Sequence, residues 1–311
     1  MYNRLFFLNF LFLFLCQVSL AQQTILTDSN LPIMVILTDI DPDTNIPYDI
    51  PDEPKVLATM QLIYRPDGTR NYLTDITNDT FLNYNGRIGI ELRGSSSQVL
   101  EKKPYGFTTL LEDDESNNNV NLLGMPSEND WVLNSLAYDP SMVRDYLSYT
   151  LSSNMGNYAP RVKYIEVIVN DDYKGVYILT EKIKRDSDRV NLKKIADFDN
   201  TSPEVTGGYI VKADKINGDD EVAWTMPNSG GWETNFLHHY PKTEDITGQQ
   251  ADYIENIFYD LATQTNPANT SISDGYPSII DIPSFVDYMI MAEFASNPDA
   301  YQFSTFFHKD R

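Results

Sequence analysis

The pattern of apolar and polar residues predicts β-strands in the first part of the chain. Residues 31–37 and 56–64 are runs rich in β-branched and aromatic side chains, and 86–93 alternates apolar and polar residues as a half-buried strand does. A small-residue turn, Gly-Ser-Ser-Ser at 94–97, follows, and the strand pattern resumes at 103–111. We therefore expect a strand, a small-residue turn and a second strand in this region.

Further strands are predicted nearer the middle of the chain. Residues 162–169 and 175–179 flank an Asn-Asp-Asp turn and predict a hairpin. Residues 206–212 and 305–309 also read as strands, and 189–195 reads as a short strand or a helix start. The Gly- and Asp-rich stretch 213–232 is expected to be a loop.

Helical periodicity dominates the last third and occurs once before it. Apolar residues recur at helical spacing over 139–155, 247–265 and 282–294, with Asp139 and Thr247 as expected N-caps of the first two helices. A β-rich front half and a helical back half predict an α+β fold.

The N-terminal sequence has the features of a signal peptide, which we expect over residues 1–21. One basic residue, Arg4, precedes an apolar run from Leu5 to Leu15, and Ser19 and Ala21 provide small residues for cleavage. The alternative is an N-terminal membrane anchor, but the run is short for a spanning helix. We expect a secreted or cell-surface protein with no membrane span after signal removal. The only cysteine, Cys16, lies within this segment.

The charge of the chain limits its partners. Lys and Arg number 23 against 45 Asp and Glu, which gives a net charge of −22. So acidic a chain repels phosphate backbones, and we expect no nucleic-acid partner. The 20 Tyr and 15 Phe supply large core side chains, so disorder of the whole chain is not expected.

The small-residue turn is the first candidate for chemistry. Backbone N–H groups of such a turn can contact phosphate, and flanking cations can neutralise its charge. The candidate ligand-binding residues are Arg93, Ser95, Ser96, Ser97, Lys102 and Lys103. Taken alone, the pattern favours an ordinary hairpin with solvated lysines.

Two later segments carry candidate carboxylates. Glu181 ends the predicted strand of the hairpin and could meet a ligand, a lysine or a metal. Asp299 follows the last predicted helix and stands five residues before Ser304. In protein kinases the same spacing separates a catalytic aspartate from a metal-binding asparagine. A solvated strand end and a helix-ending turn are the alternatives.

Several motifs, taken in order, resemble the CotH-like (spore-coat protein H) family of atypical protein kinases, in its secreted bacterial branch. They are Ile-Glu-Leu-Arg-Gly-Ser-Ser-Ser at 90–97, Lys-Lys-Pro-Tyr at 102–105, Asp-Trp-Val-Leu at 130–133, Val-Asn-Asp-Asp-Tyr-Lys-Gly at 169–175 and Asn-Pro-Asp-Ala-Tyr at 297–301. The resemblance covers residues 85–311. It leaves 22–84 as a β-rich N-terminal segment mostly outside it.

The resemblance implies an atypical kinase-like fold with a β-rich N-terminal lobe and a helical C-terminal lobe. It implies transfer of the γ-phosphoryl group of ATP, with Mg or Mn, to Ser or Thr of exported proteins. Arg93 and the turn 95–97 would cover the phosphates, and Lys103 or Lys102 would pair with them. Glu181 would order that lysine or lie near the adenine, and Asp299 would be the catalytic aspartate.

Two departures from the family pattern keep a second function open. Ser304 stands in the place of a metal-binding asparagine and is a weaker ligand. The family continues into a Trp-Asp-Phe segment whose aspartate holds the metal, so the C-terminal part of the domain and the main metal ligand are expected beyond Arg311. The alternative function is a non-catalytic surface, coat or adhesion protein on the same fold.

Overall fold

The computed structural model describes residues 25–218, 220–228, 230–266 and 268–311. The predicted signal peptide, residues 1–21, lies outside these ranges. Within them, no helix has the length and apolarity that crossing a membrane requires. The strands are β1 (Asp28–Ser29), β2 (Ile33–Thr38), β3 (Val56–Ile63), β4 (Asn71–Tyr72), β5 (Leu82–Leu92), β6 (Tyr105–Leu110), β7 (Asp130–Asn134), β8 (Val162–Val169), β9 (Asp172–Glu181), β10 (Tyr209–Ala213), β11 (Trp224–Pro227), β12 (Glu233–Tyr240) and β13 (Thr305–Lys309). The α-helices are α1 (Arg144–Asn154), α2 (Gly248–Thr265) and α3 (Ile282–Phe294), so the expected α+β class is confirmed.

Seven strands close into a barrel in the order β2-β3-β5-β6-β7-β9-β8. Neighbours are antiparallel except β2 and β8, which are parallel. Alternate residues fill the interior, among them Ile90 on β5, Phe107 on β6 and Leu179 on β9, all nearly or fully buried. Strands β2 and β3, from the segment 22–84, therefore share one core with the strands that follow residue 85.

A second sheet, in the order β11-β12-β10-β13, follows the barrel. Helix α2 covers one face of this C-terminal sheet, where Ile254 and Phe258 pack with Trp224 and Phe236. The sequence pattern missed two of its strands. Strand β11 lies inside the expected loop 213–232, and β12 carries no strict alternation of apolar and polar residues.

Helix α1 begins five residues later than its pattern predicts. Met142 adopts a left-handed backbone conformation with φ of 56°, which interrupts the helix expected from Asp139. The Asp139 carboxylate still accepts the backbone N–H of Arg144 at 2.9 Å, so it caps the shorter helix from outside. Residues 189–195 form neither helix nor strand, apart from a single bridge between Arg185 and Val190.

The barrel and the C-terminal sheet meet at the end of β9. The His239 ring Nε2 lies 2.7 Å from the carbonyl oxygen of Ile183, two residues after β9 ends. A second connection joins Asn157, after α1, to the Asp287 carboxylate on α3 at 2.8 Å. These contacts connect the end of β9 to β12 and the segment after α1 to α3.

Candidate functional site

Hydrogen bonds to two other segments of the protein anchor the loop between β5 and β6. Gly94 has a φ of 83°, which favours glycine, and residues 96–99 form one turn of 3₁₀-helix. The Gln98 amide donates to the Asp52 carboxylate at 2.5 Å, and the Tyr138 hydroxyl donates to the Ser96 carbonyl oxygen at 3.0 Å. Arg93, at its start, is exposed and forms no ion pair within the described residues.

Both predicted lysines are bonded to backbone carbonyl groups. The Lys102 ammonium donates to the carbonyl oxygen of Val176 and lies 4.6 Å from the centre of the Tyr177 ring. The Lys103 ammonium donates to the carbonyl oxygen of Gln98 at 2.5 Å, within the same turn. These lysines therefore support the loop and the end of the barrel in this structure.

Glu181 is buried and bonded to arginines. Its carboxylate accepts the backbone N–H of Arg161 at 2.8 Å and the Arg161 Nη1 at 3.0 Å, and Arg189 Nε lies 3.6 Å away. Val176, which holds Lys102, lies five residues earlier on β9, or about 16 Å along the strand. The structure therefore does not bring Glu181 together with Lys102, and it pairs Lys103 with Gln98.

Asp299 lies exposed in the turn that leads from α3 to β13. Its backbone N–H donates to Asn297 Oδ1 at 3.1 Å, and its carbonyl oxygen accepts the Phe303 N–H at 2.9 Å. These bonds fix the turn and leave the carboxylate open to solvent. A carboxylate in this position is free to accept a proton from a hydroxyl group.

The pairing of β10 with β13 brings a further carboxylate to Ser304. Ala213 lies opposite Thr305, so the next residue, Asp214, stands beside Ser304, whose Oγ donates to Asp214 Oδ2 at 3.4 Å. Sequence reasoning missed Asp214, because only the strand register reveals its neighbour. Its position two residues after the predicted strand 206–212 was the available signal.

Asp214 and Ser304 are the residues that could hold a metal ion near Asp299. In nucleotide sites Mg²⁺ usually takes one or two protein oxygens and completes its shell with phosphate and water, and these two oxygens fit that number. Among the described residues no group of three or more His, Cys, Asp or Glu is arranged to hold a metal. Lys212 lies 3.8 Å from the Asp214 carboxylate and partly neutralises it.

A chain of charged and hydroxyl groups crosses the outer face of the barrel, and sequence reasoning missed it as well. Lys55 donates to Thr108 Oγ1 at 2.7 Å, Thr108 donates to Asp130 Oδ1 at 2.6 Å, and Lys184 donates to Asp130 Oδ2 at 2.6 Å. Burial alone would raise the pKa of Asp130, but the bonds from Lys184 and Thr108 outweigh it and lower the pKa to about 2.

This series of side-chain bonds ends at Lys184, next to Ile183, whose carbonyl oxygen contacts the His239 ring. Burial lowers the pKa of His239 to about 4, and the positive charges of Lys242, Lys212 and Lys182 contribute. Along β10 this end is separated from Ser304 by about three residues, or roughly 10 Å, because Ile210 pairs with Tyr240 and Ala213 pairs with Thr305. Asp214 and Ser304 thus lie beyond one end of β10, whereas the contact of Ile183 with His239 lies nearer its other end.

Comparison with protein-family models identifies a related family. The family model described as CotH kinase protein matches residues 90–311, which is more than half of the chain and includes every predicted site residue from Arg93 to Ser304. No curated protein matches the chain.

Proposed function

The chain belongs to the CotH kinase protein family, as its motifs predict, and from this membership we propose that it transfers the γ-phosphoryl group of ATP to Ser or Thr of exported proteins. Family membership suggests a kinase-like, spore-coat-associated protein, which is consistent with a surface location. Export, the protein substrate, and the correspondence of barrel and C-terminal region to two kinase lobes are parts of the proposal.

The observation that carries the proposal is the arrangement around the β10–β13 pair. The open carboxylate of Asp299 and the oxygens of Ser304 and Asp214 belong to one short segment and its paired strand. Phosphoryl transfer requires little covalent chemistry from the protein, and it depends on positioning and on neutralising charge. One acceptor for the hydroxyl proton and oxygen ligands for a metal satisfy that requirement.

Each group has a distinct role in this proposal. Asp299 accepts the proton of the attacking Ser or Thr hydroxyl, and Asp214 with Ser304 holds the divalent metal. Arg93 and the turn 95–97 bind the phosphates from the barrel side. When bound, Mg-ATP supplies the phosphoryl group and the positive charge that stabilises the leaving group.

Asp299→Asn tests the proposal in the full natural chain. We expect labelling of casein from γ-labelled ATP to fall at least about 100-fold, because a general base contributes that much or more. Binding of Mg-ATP should change less than about threefold, since Asp299 acts on the hydroxyl. The control is Asp260→Asn, an exposed acid on α2. Unchanged labelling in Asp299→Asn would remove Asp299 from its role.

A second candidate is a non-catalytic coat, surface or adhesion protein on the same fold. It is favoured by Ser304 in place of an asparagine and by the small number of metal-ligating groups in the described residues. Thermal denaturation with and without Mg-ATP separates the two candidates. At 100 times the dissociation constant, binding adds about 2.7 kcal/mol to stability. No stabilisation by ATP with Mg²⁺, Mn²⁺ or Ca²⁺ would favour the second candidate.

A further inference from the structure

A lysine on the C-terminal sheet lies beside the carboxylate that is proposed to hold the metal. Val211 and Ala213 pack in the core under α2, so Lys212 between them points to the opposite face of β10. Its ammonium lies 3.8 Å from Oδ2 of Asp214, and the same oxygen accepts the Ser304 hydroxyl at 3.4 Å. The oxygen available to a metal is therefore one that already faces a cation.

This lysine is shared between two carboxylates. The Lys212 ammonium donates to Oδ2 of Asp220 at 3.0 Å, which is closer than its contact with Asp214. The backbone N–H of Asp220 donates to the carbonyl oxygen of Asn217 at 3.0 Å, so Asp220 is tied into the turn that follows β10. Lys212 therefore keeps an acidic partner even when it moves away from Asp214.

The burial of these groups makes their charges matter to a metal. The side chains of Lys212 and Asp214 are 15% and 16% exposed, whereas that of Asp220 is 35% exposed. Charges that are close together and partly buried interact more strongly than surface charges, because water and salt screen them less. A divalent metal on the Asp214 carboxylate would therefore be repelled by the Lys212 ammonium unless that ammonium moves toward Asp220.

We propose that Lys212 competes with the divalent metal for the Asp214 carboxylate, and that Asp220 weakens this competition by holding the ammonium aside. The inference rests on the metal site of the proposed function and concerns the regulation of that site. Before the metal binds, Lys212 neutralises Asp214; once it is bound, Lys212 pairs with Asp220 alone. Lys212 and Asp220 are thus positioning residues, because they act on the metal through Asp214.

Binding of Mn²⁺ to the full natural chain, without nucleotide, measures this competition. The free ion is followed by electron paramagnetic resonance at constant ionic strength, and Asp214→Asn identifies the binding that depends on this site. We expect Lys212→Met to bind Mn²⁺ at least about fivefold more tightly than the natural protein, because a nearby positive charge is removed. Asp220→Asn should bind it at least about threefold more weakly, because Lys212 then pairs only with Asp214.

The double variant separates an indirect role of Asp220 from direct coordination. In the Lys212→Met background, Asp220→Asn should change Mn²⁺ affinity less than about twofold, because the lysine through which Asp220 acts is gone. An equal loss of affinity in both backgrounds would make Asp220 a metal ligand and overturn the proposal. Lys194→Met and Asp260→Asn, at an exposed lysine and an exposed acid, are the matched controls for the loss of one charge.

The test does not depend on the folding of every variant. Asp220 lies in a turn outside the strands, so Asp220→Asn carries the test alone if Lys212→Met does not fold. Unchanged Mn²⁺ affinity in Asp220→Asn would then overturn the proposal.

Failure of this proposal differs from failure of the proposed kinase function. Asp214-dependent Mn²⁺ binding that is the same in Lys212→Met and Asp220→Asn would overturn the competition and leave the kinase proposal standing. Opposite shifts in these two variants, in a protein that does not label casein, would support the competition and count against phosphoryl transfer. Absence of Asp214-dependent Mn²⁺ binding would overturn the competition and also remove Asp214 from the metal site.

Discussion

Replacing Glu181 by alanine separates a structural role of this residue from a role in nucleotide binding. In the structure its carboxylate is fully buried, holds the Arg161 guanidinium at 3.0 Å and lies 3.6 Å from the Arg189 guanidinium, which is 1% exposed. When the Glu181 carboxylate is removed, Arg189 keeps its ion pair with Glu128 at 3.1 Å and a longer one with the more exposed Asp186. The variant therefore leaves a buried positive charge only partly compensated.

The magnitude follows from the burial of each partner. Removing one member of a buried ion pair typically costs about 3–5 kcal/mol. Arg161 is 46% exposed, and both arginines line a cavity of about 360 Å³, so water screens part of the loss. We expect Glu181→Ala to lower the free energy of unfolding by about 2–4 kcal/mol. With an m-value near 2–3 kcal/mol/M, the urea midpoint should fall by about 1–2 M.

Two further variants make the measurement decisive. Glu181→Gln keeps an acceptor for the Arg161 backbone N–H and should lose roughly half as much stability. Asp172→Ala breaks an exposed ion pair with Lys174 and should change stability by less than about 1 kcal/mol. Suppose instead that Glu181→Ala keeps the natural urea midpoint but weakens Mg-ATP binding. Glu181 would then face the nucleotide, as the family resemblance implies, and the ion pairs described above would be wrong.

The remaining predictions concern packing, pH and phosphate binding. Leu179→Ala, at a fully buried position in the barrel, should lower the free energy of unfolding by about 2–5 kcal/mol, whereas Leu147→Ala on the exposed side of α1 should cost less than about 1 kcal/mol in the same urea titration. The free energy of unfolding of the natural protein should fall by up to about 3 kcal/mol as the pH falls from 6.5 to 4. The reason is that His239 becomes protonated in the unfolded protein over this pH range but stays neutral in the folded protein. Urea titrations of His239→Gln should therefore show a flatter pH dependence. Arg93→Gln should leave stability within about 0.5 kcal/mol and weaken Mg-ATP binding about 10- to 100-fold by calorimetry, and unchanged affinity would remove Arg93 from the phosphate site.

Local patterns predicted the elements that depend mainly on their own residues. The hairpin of β8 and β9 was predicted because its turn residues and β-branched runs occur together, and the structure confirms it. Helix α2 was predicted because Thr247 can cap it and apolar residues recur at helical spacing after it; the structure adds a capping box between Thr247 and Gln250. The order of short motifs predicted the family, which the match over residues 90–311 confirms.

Elements that depend on distant partners were not predictable in the same way. Strand β12 lies between β10 and β11 and is held by both, so its sequence needs no strict alternation. Barrel closure depends on the parallel pairing of β2 with β8, more than 100 residues later in the chain, which no local pattern records. The neighbour of Ser304 depends on the register of β10 and β13 in the same way.

The cations of the β5–β6 loop show why a motif does not by itself define a site. Lys102 and Lys103 stand next to each other in the motif, but their ammonium groups turn to different carbonyl groups, one on β9 and one in the loop. Of the three cations of this loop, Arg93 alone has neither a side-chain hydrogen bond nor an ion pair within the described residues. Arg93 is therefore the cation of this motif whose side chain remains available to a phosphate, and the Arg93→Gln variant tests whether it binds the ATP phosphates.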